Sequence, residues 1–209
     1  MSRKISMGLA VLIATAGLTT IAQGAAKKPA RPANALTCNW PVGPNDSAQA
    51  LLRRFGSQAR MEDIGVGEGE TERGVVIYPR DPRRRLYVLF WNSDRKRPQS
   101  VRFYADNAPW VVAGIRIGDR LASLRERNGR PIRFQQFGAD YGGTLHSFEG
   151  GHFAGALGNC EPSITFSAEG ELADAITGDG VTSSDHPDMG KANVRVGSLG
   201  VRFSPPPAE

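Results

Sequence analysis

Cysteine is almost missing from this chain: two residues in 209. That excludes a disulfide-dense mini-domain and a cysteine-rich zinc module, both of which need more thiols. Histidine is nearly as scarce, at three, and no H-E-x-x-H metal motif occurs. The G-x-S-x-G nucleophile elbow and the G-x-x-x-x-G-K-[ST] phosphate loop are absent too. Glycine is plentiful but lacks the three-residue period of collagen, and the 40% apolar content is too high for a wholly disordered chain. No second apolar run approaches membrane-spanning length. Nor is there a large charge surplus. Removing residues 1–24 takes away Arg3 and Lys4 and no acid, so the formal charge falls from +5 to +3. A surplus that small gives no reason to invoke nucleic acid.

What is present begins with a targeting pattern. Arg3 and Lys4 precede an apolar stretch from Met7 to Ala22, and Ala22-Gln23-Gly24 places small residues before Ala25. This is the layout of a cleaved secretory signal over residues 1–24, and the stretch is too short for an ordinary membrane anchor. A periplasmic or secreted location is therefore expected. Cys38 is not a lipid-anchor cysteine, since Thr37 precedes it and the apolar segment lies well upstream. Residues 25–37, basic and Pro-bearing, read as a flexible leader, and the Pro-rich residues 205–209 as a disordered tail.

Between them the chain reads as α+β in two related parts, 38–110 and 111–204. Residues 46–66 laid over 119–139, an offset of 73, give six identities: Asp46/Asp119, Leu51/Leu124, Arg54/Arg127, Gly56/Gly129, Arg60/Arg133 and Gly65/Gly138. In the first copy Asp46 is the expected N-cap, with Gln49 completing a capping box. Ala48, Leu51, Leu52 and Phe55 form one apolar stripe, and Gly56 ends the helix. In the second, Asp119 caps, Leu121 and Leu124 face inward, and Asn128-Gly129 stops the helix. Helices this short need a sheet to pack on. Strands are expected at Val75–Tyr78 and Leu86–Trp91, a hairpin turning at Pro79–Arg85, then at Ser100–Tyr104, Ile132–Phe137, Thr144–Phe148, Ser163–Ser167 and Val194–Phe203. Antiparallel pairing follows from strand succeeding strand, and Thr177–Lys191 reads as a long loop.

The segment Gly114-Ile115-Arg116-Ile117-Gly118-Asp119, followed by Asn128-Gly129-Arg130-Pro131 and by Asp140-Tyr141-Gly142-Gly143, resembles an uncharacterised family of secreted bacterial proteins. More loosely, the glycine-bounded helix start feeding a small sheet is similar to tandem-repeat folds of the β-lactamase-inhibitor-protein type and to small outer-membrane-assembly lipoproteins. That resemblance implies proteins that bind other proteins and catalyse nothing; it is one of fold and transfers no function alone.

Candidate chemistry is sparse. Gly65-Val66-Gly67-Glu68-Gly69 carries acids that would repel phosphate and reads as a turn. Asp140, His146, Glu149 and His152 are the residues from which a metal site or hydrolase centre could be built, if a turn at Gly150-Gly151 brought the histidines together. His186 sits in a loop context. Cys38 and Cys160, in a chain bound for an oxidising compartment, read as a disulfide whose closure is worth about 4–5 kcal/mol in the chain-entropy account. A Cys160 nucleophile served by His152 lacks an orienting third residue. Arg80, Arg83, Arg84 and Arg85, with Arg95, Lys96 and Arg97, form two basic runs at opposite ends of one strand. They suit solvated hairpin ends or contact with an anionic envelope surface. Trp91, Tyr104, Trp110, Tyr141 and Phe148 are more aromatics than a short strand core needs, and the candidate binding set is Asp140, Tyr141, Trp110, Tyr104 and Phe148. The expectation is a non-catalytic envelope binding module that recognises a protein on a sheet face, without cofactor or metal. An enzyme using Asp140, His146 and His152, and a structural protein held by its basic loops, are the alternatives.

Overall fold

A computed structural model describes residues 34–206; the expected signal segment, leader residues 25–33 and residues 207–209 lie outside them. In chain order the first half contributes β1 (Ala35–Leu36), α1 (Ala48–Phe55), β2 (Ala59–Gly67), β3 (Glu70–Ile77), β4 (Leu86–Phe90) and β5 (Pro98–Phe103). The second contributes β6 (Val111–Val112), α2 (Leu121–Asn128), β7 (Arg133–Gln135), β8 (Leu145–Ser147), β9 (Cys160–Ala168), β10 (Val181–Ser183), α3 (Met189–Ala192) and β11 (Val194–Phe203). The architecture is mixed α and β, with strand predominating. The main body is a six-stranded antiparallel sheet of order β2-β3-β4-β5-β11-β9. A three-stranded sheet of order β10-β7-β8 stands beside it.

In each half a short helix leads into antiparallel strands. The strands β2, β3, β4 and β5 form a continuous meander. In the second half β7 pairs with β8 and β9 with β11, but β8 and β9 are joined only by a bridge between Thr144 and Thr165. The halves meet along β5 and β11. The bridge depends on Gly143, at φ +77°, whose carbonyl accepts from Phe166 N at 2.8 Å. A side chain at Gly143 would run into the Phe166 backbone.

One side of the large sheet carries the core. Leu51 and Ala48 of α1 and Leu121 and Leu124 of α2 join Val75, Ile77, Leu86, Val88, Val101, Phe103, Leu199 and Val201 in one buried cluster. The helices pack on β2, β3 and β11. Both helix ends are glycine caps, Gly56 at φ +51° and Gly129 at φ +70°, a region that costs other residues backbone strain.

The expected N-caps are corrected. Ser47 caps α1, its hydroxyl accepting from Ala50 N at 3.1 Å. Arg120 occupies the cap of α2 with no side-chain bond. The two aspartates instead clamp the chain that enters each helix. Asp46 Oδ2 accepts from Gly43 N at 2.7 Å and from Arg54 Nη1 at 2.8 Å, while Arg54 Nη1 also donates to the Pro41 carbonyl at 3.1 Å. Asp119 Oδ2 accepts from Arg116 N at 3.0 Å and from Arg127 Nη1 at 3.3 Å, and Arg127 Nη2 donates to the Gly114 carbonyl at 2.7 Å. All four positions correspond at the offset of 73.

Three further expectations change. Residues 35 and 36 belong to the fold: β1 pairs in parallel with β6, and Leu36 is buried. The stretch read as a loop, 177–191, contains β10 and the start of α3, because β7 offers Val181–Ser183 an edge to pair with. Strand β2 was not expected: Arg60, Glu62 and Asp63 interrupt its apolar pattern, and a strand at a sheet edge tolerates them. Cys38 and Cys160 form a disulfide with Cα atoms 5.5 Å apart, tying the chain ahead of α1 to the start of β9. Among the described residues no helix is long and apolar enough to cross a membrane. These two features are compatible with a secreted or periplasmic chain.

Candidate functional site

Alternation in the strands decides what the second side of the large sheet presents. Leu86, Val88 and Phe90 of β4 turn into the core, so Tyr87 and Leu89 turn away from it. Pairing register extends this into rows. One runs Arg60, Val76, Tyr87, Arg102, Gly200, Ser163 across all six strands. A second runs Leu89, Ser100, Arg202, Glu161. Val76 and Ile64 are buried yet stand outside the core cluster that the helices cover. Ser100 is buried between Leu89 and Arg202 in its row. Neither α1 nor α2 contributes to this face; their buried apolar side chains all belong to the cluster on the opposite side.

Tyr104, just past β5, is 46% exposed and meets the Tyr87 ring edge-on at 5.3 Å between centroids. Trp91, just past β4, lines a hollow with Glu161, Arg202 and Pro205. Its indole Nε1 is shielded and has no hydrogen-bond partner; Arg102 Nε shares that condition, and Arg85 Nε is the third such atom among the described residues. Gly200 lets β11 lie close to β5 beside Arg102, since a Cβ there would stand 2.1 Å from the Val101 carbonyl oxygen and 2.9 Å from Arg102 Cα. The other arginines of the face are compensated: Arg60 pairs with Glu62, and Arg202 Nη2 donates to Glu161 at 2.6 Å. The face thus combines tyrosine, tryptophan and arginine, the residue types that dominate binding hot spots.

The expected binding residues do not come together. Of the five, only Tyr104 stands on this face. Trp110 is corrected from anchor to core: it is 3% exposed, its Nε1 donates to the Arg84 carbonyl at 3.0 Å, and its ring stacks on Tyr78. Phe148 is likewise buried, against Phe153. Asp140 and Tyr141 are exposed in the connection between β7 and β8, where Tyr141 is 67% exposed at φ +62°. His146 borders a groove with Ser147, Glu149, Phe153 and Arg202, at the place where β8 and β9 diverge. His152 lies edge-on to the Phe153 ring at 5.3 Å. Among the described residues no three His, Cys, Asp or Glu side chains gather as a metal site would require. With its thiol in the disulfide, Cys160 is not available as a nucleophile.

The basic runs are partly used inside the fold. Arg84 lies over the Tyr78 ring at 4.1 Å, Arg85 donates to the Pro79 carbonyl, and Arg95 Nε donates to the Arg73 carbonyl at 2.9 Å. Tyr87, Leu89, Arg102 and Arg202 escape a reading by motif. Their signal is the two-residue alternation within β4, β5 and β11, which requires knowing which parity faces the helices.

The class this geometry defines is a disulfide-tied α+β chain whose large sheet has, among the described residues, one face covered by helices and one without them. Compared with known protein families, curated proteins and solved structures, the chain matches none.

Proposed function

We propose that the protein is a non-catalytic binding module of the cell envelope, secreted or periplasmic, which recognises a protein through the helix-free face of its large sheet. The observation that carries this reading is the cluster of Tyr87, Tyr104, Trp91 and Arg102 on a face that no helix of the described residues covers. A partner that covers the tyrosines and meets Arg102 would use the residue types that carry most binding energy.

The reading also takes the chain as two copies of one helix-plus-meander unit. Its support is the Asp–Arg clamp, repeated position for position at an offset of 73. It agrees with the resemblance to tandem-repeat binding proteins. The test is retention from envelope extract on the oxidised protein, read by mass spectrometry at rising salt. The expected result is one protein held near stoichiometrically by the natural chain through high salt and lost from a Leu89→Ser, Tyr104→Ser variant. Retention of anionic lipid alone, released by modest salt, would overturn the reading in favour of the basic loops.

A further inference from the structure

Three arginines stand on the helix-free face: Arg60 and Arg102 in one row, Arg202 in the next. The outer two have carboxylate partners, Glu62 and Glu161. Arg102, on the strand between them, has no ion pair among the described residues, and its Nε is shielded without an acceptor. It is flanked by aromatic surface, with Tyr87 directly opposite on β4 and Tyr104 two residues along. An uncompensated guanidinium beside a pair of tyrosines calls for an anion that is planar and can take two parallel N–H bonds, which a carboxylate does best.

We propose that the occupant of this face is an acidic loop of a protein partner, with one Asp or Glu carboxylate seated on Arg102 beside the Tyr87–Tyr104 pair. This rests on the sheet-face reading above and names the chemistry of what the face receives. Charge complementarity selects the occupant. A second copy of the chain docked by a two-fold axis passing beside Arg102 would set Arg102 against Arg102, and like charges brought together oppose association. A lipid surface would favour the basic runs, which lie in the turns beyond the two ends of β4, over a face with a single uncompensated cation.

The test uses the oxidised full chain and a displayed library of short disulfide-closed loops of random sequence. Enriched loops are expected to carry Asp or Glu. Binding of a selected loop should fall about 30-fold or more with Arg102→Gln, as for a hot-spot residue. Changing the loop carboxylate to its amide should cost a similar factor, and the two losses should not add. Arg102→Lys keeps the charge without the bidentate fork and should show a smaller loss in the same direction, so a misfolded R102Q protein would still leave the proposal open to refutation. Loops that lose binding with Tyr87→Ser or Tyr104→Ser, yet carry no acid and ignore R102Q, would overturn the acidic-loop proposal and leave the sheet-face reading standing. Loops that ignore all of these substitutions, or a library that yields no enriched loop, would overturn both.

Discussion

The two helix entries use the same clamp with different tightness. At the first, both Asp46 oxygens engage Arg54, at 2.5 and 2.8 Å, and Ser47 caps the helix. At the second, Arg127 touches Asp119 once, at 3.3 Å, and Arg120 leaves the helix without a side-chain cap. Arg127 is shared with another task, since its guanidinium also lies 5.2 Å from the Phe153 ring. The first clamp closes on itself, whereas the second reaches into the segment between β8 and β9. That difference matches the sheets: an unbroken meander follows α1, and one interrupted between β8 and β9 follows α2.

The comparison breaks most sharply at the equivalent core leucines. Leu51→Ala and Leu124→Ala each empty a fully buried site and should each cost about 2–5 kcal/mol in urea unfolding. Next come the clamps. Asp46→Ala removes charge-assisted bonds at a mostly shielded carboxylate and should cost about 2 kcal/mol. Asp119→Ala should cost about half that, the ratio being the quantity to measure. The caps follow: Ser47→Ala should lose about 1 kcal/mol, while Arg120→Ser, which gives α2 the cap it lacks, should raise thermal stability by a comparable amount.

The smallest effect is a pH dependence specific to α2. Arg125 binds Asp185 through two bonds, at 2.7 and 3.1 Å. Those bonds hold the Asp185 carboxyl below its ordinary value, with charge attraction to Arg125 and the Ser184 hydroxyl adding to them. A depressed carboxylate stabilises the fold above its unfolded value, about 3.9, and that contribution is lost as pH falls through the folded one. The pair is exposed, so the difference between the natural chain and Asp185→Asn should stay under about 1 kcal/mol at neutral pH. It should vanish in strong acid, as melting across pH would show.

Much of this fold was legible beforehand because apolar runs and glycine stops are local signals. Val194–Phe203 reads as a strand from its own residues, and Gly56 and Gly129 as helix ends. The helix caps were misassigned because an aspartate before a helix serves equally well as cap or clamp, and Arg54 and Arg127, which decide between them, lie eight positions away. Strand β10 takes its structure from β7, a partner 46 to 50 residues distant in the chain, and Val181–Ser183 alone carries too little apolar pattern. The site was least legible. Trp110 and Tyr104 look alike in sequence, yet one closes the core and the other is exposed. Arg102 stands out only once its neighbouring arginines are seen to be paired.

The most direct test of the helix-free face as the binding surface is photo-crosslinking in envelope extract, with a benzophenone amino acid placed at Tyr104 or at Tyr141. These are the two exposed tyrosines of the large and small sheet regions. The account predicts one discrete adduct from position 104, abolished by Arg102→Gln, and none from 141. An adduct from position 141 with none from 104 would contradict it and move the site to the Asp140–Tyr141 turn.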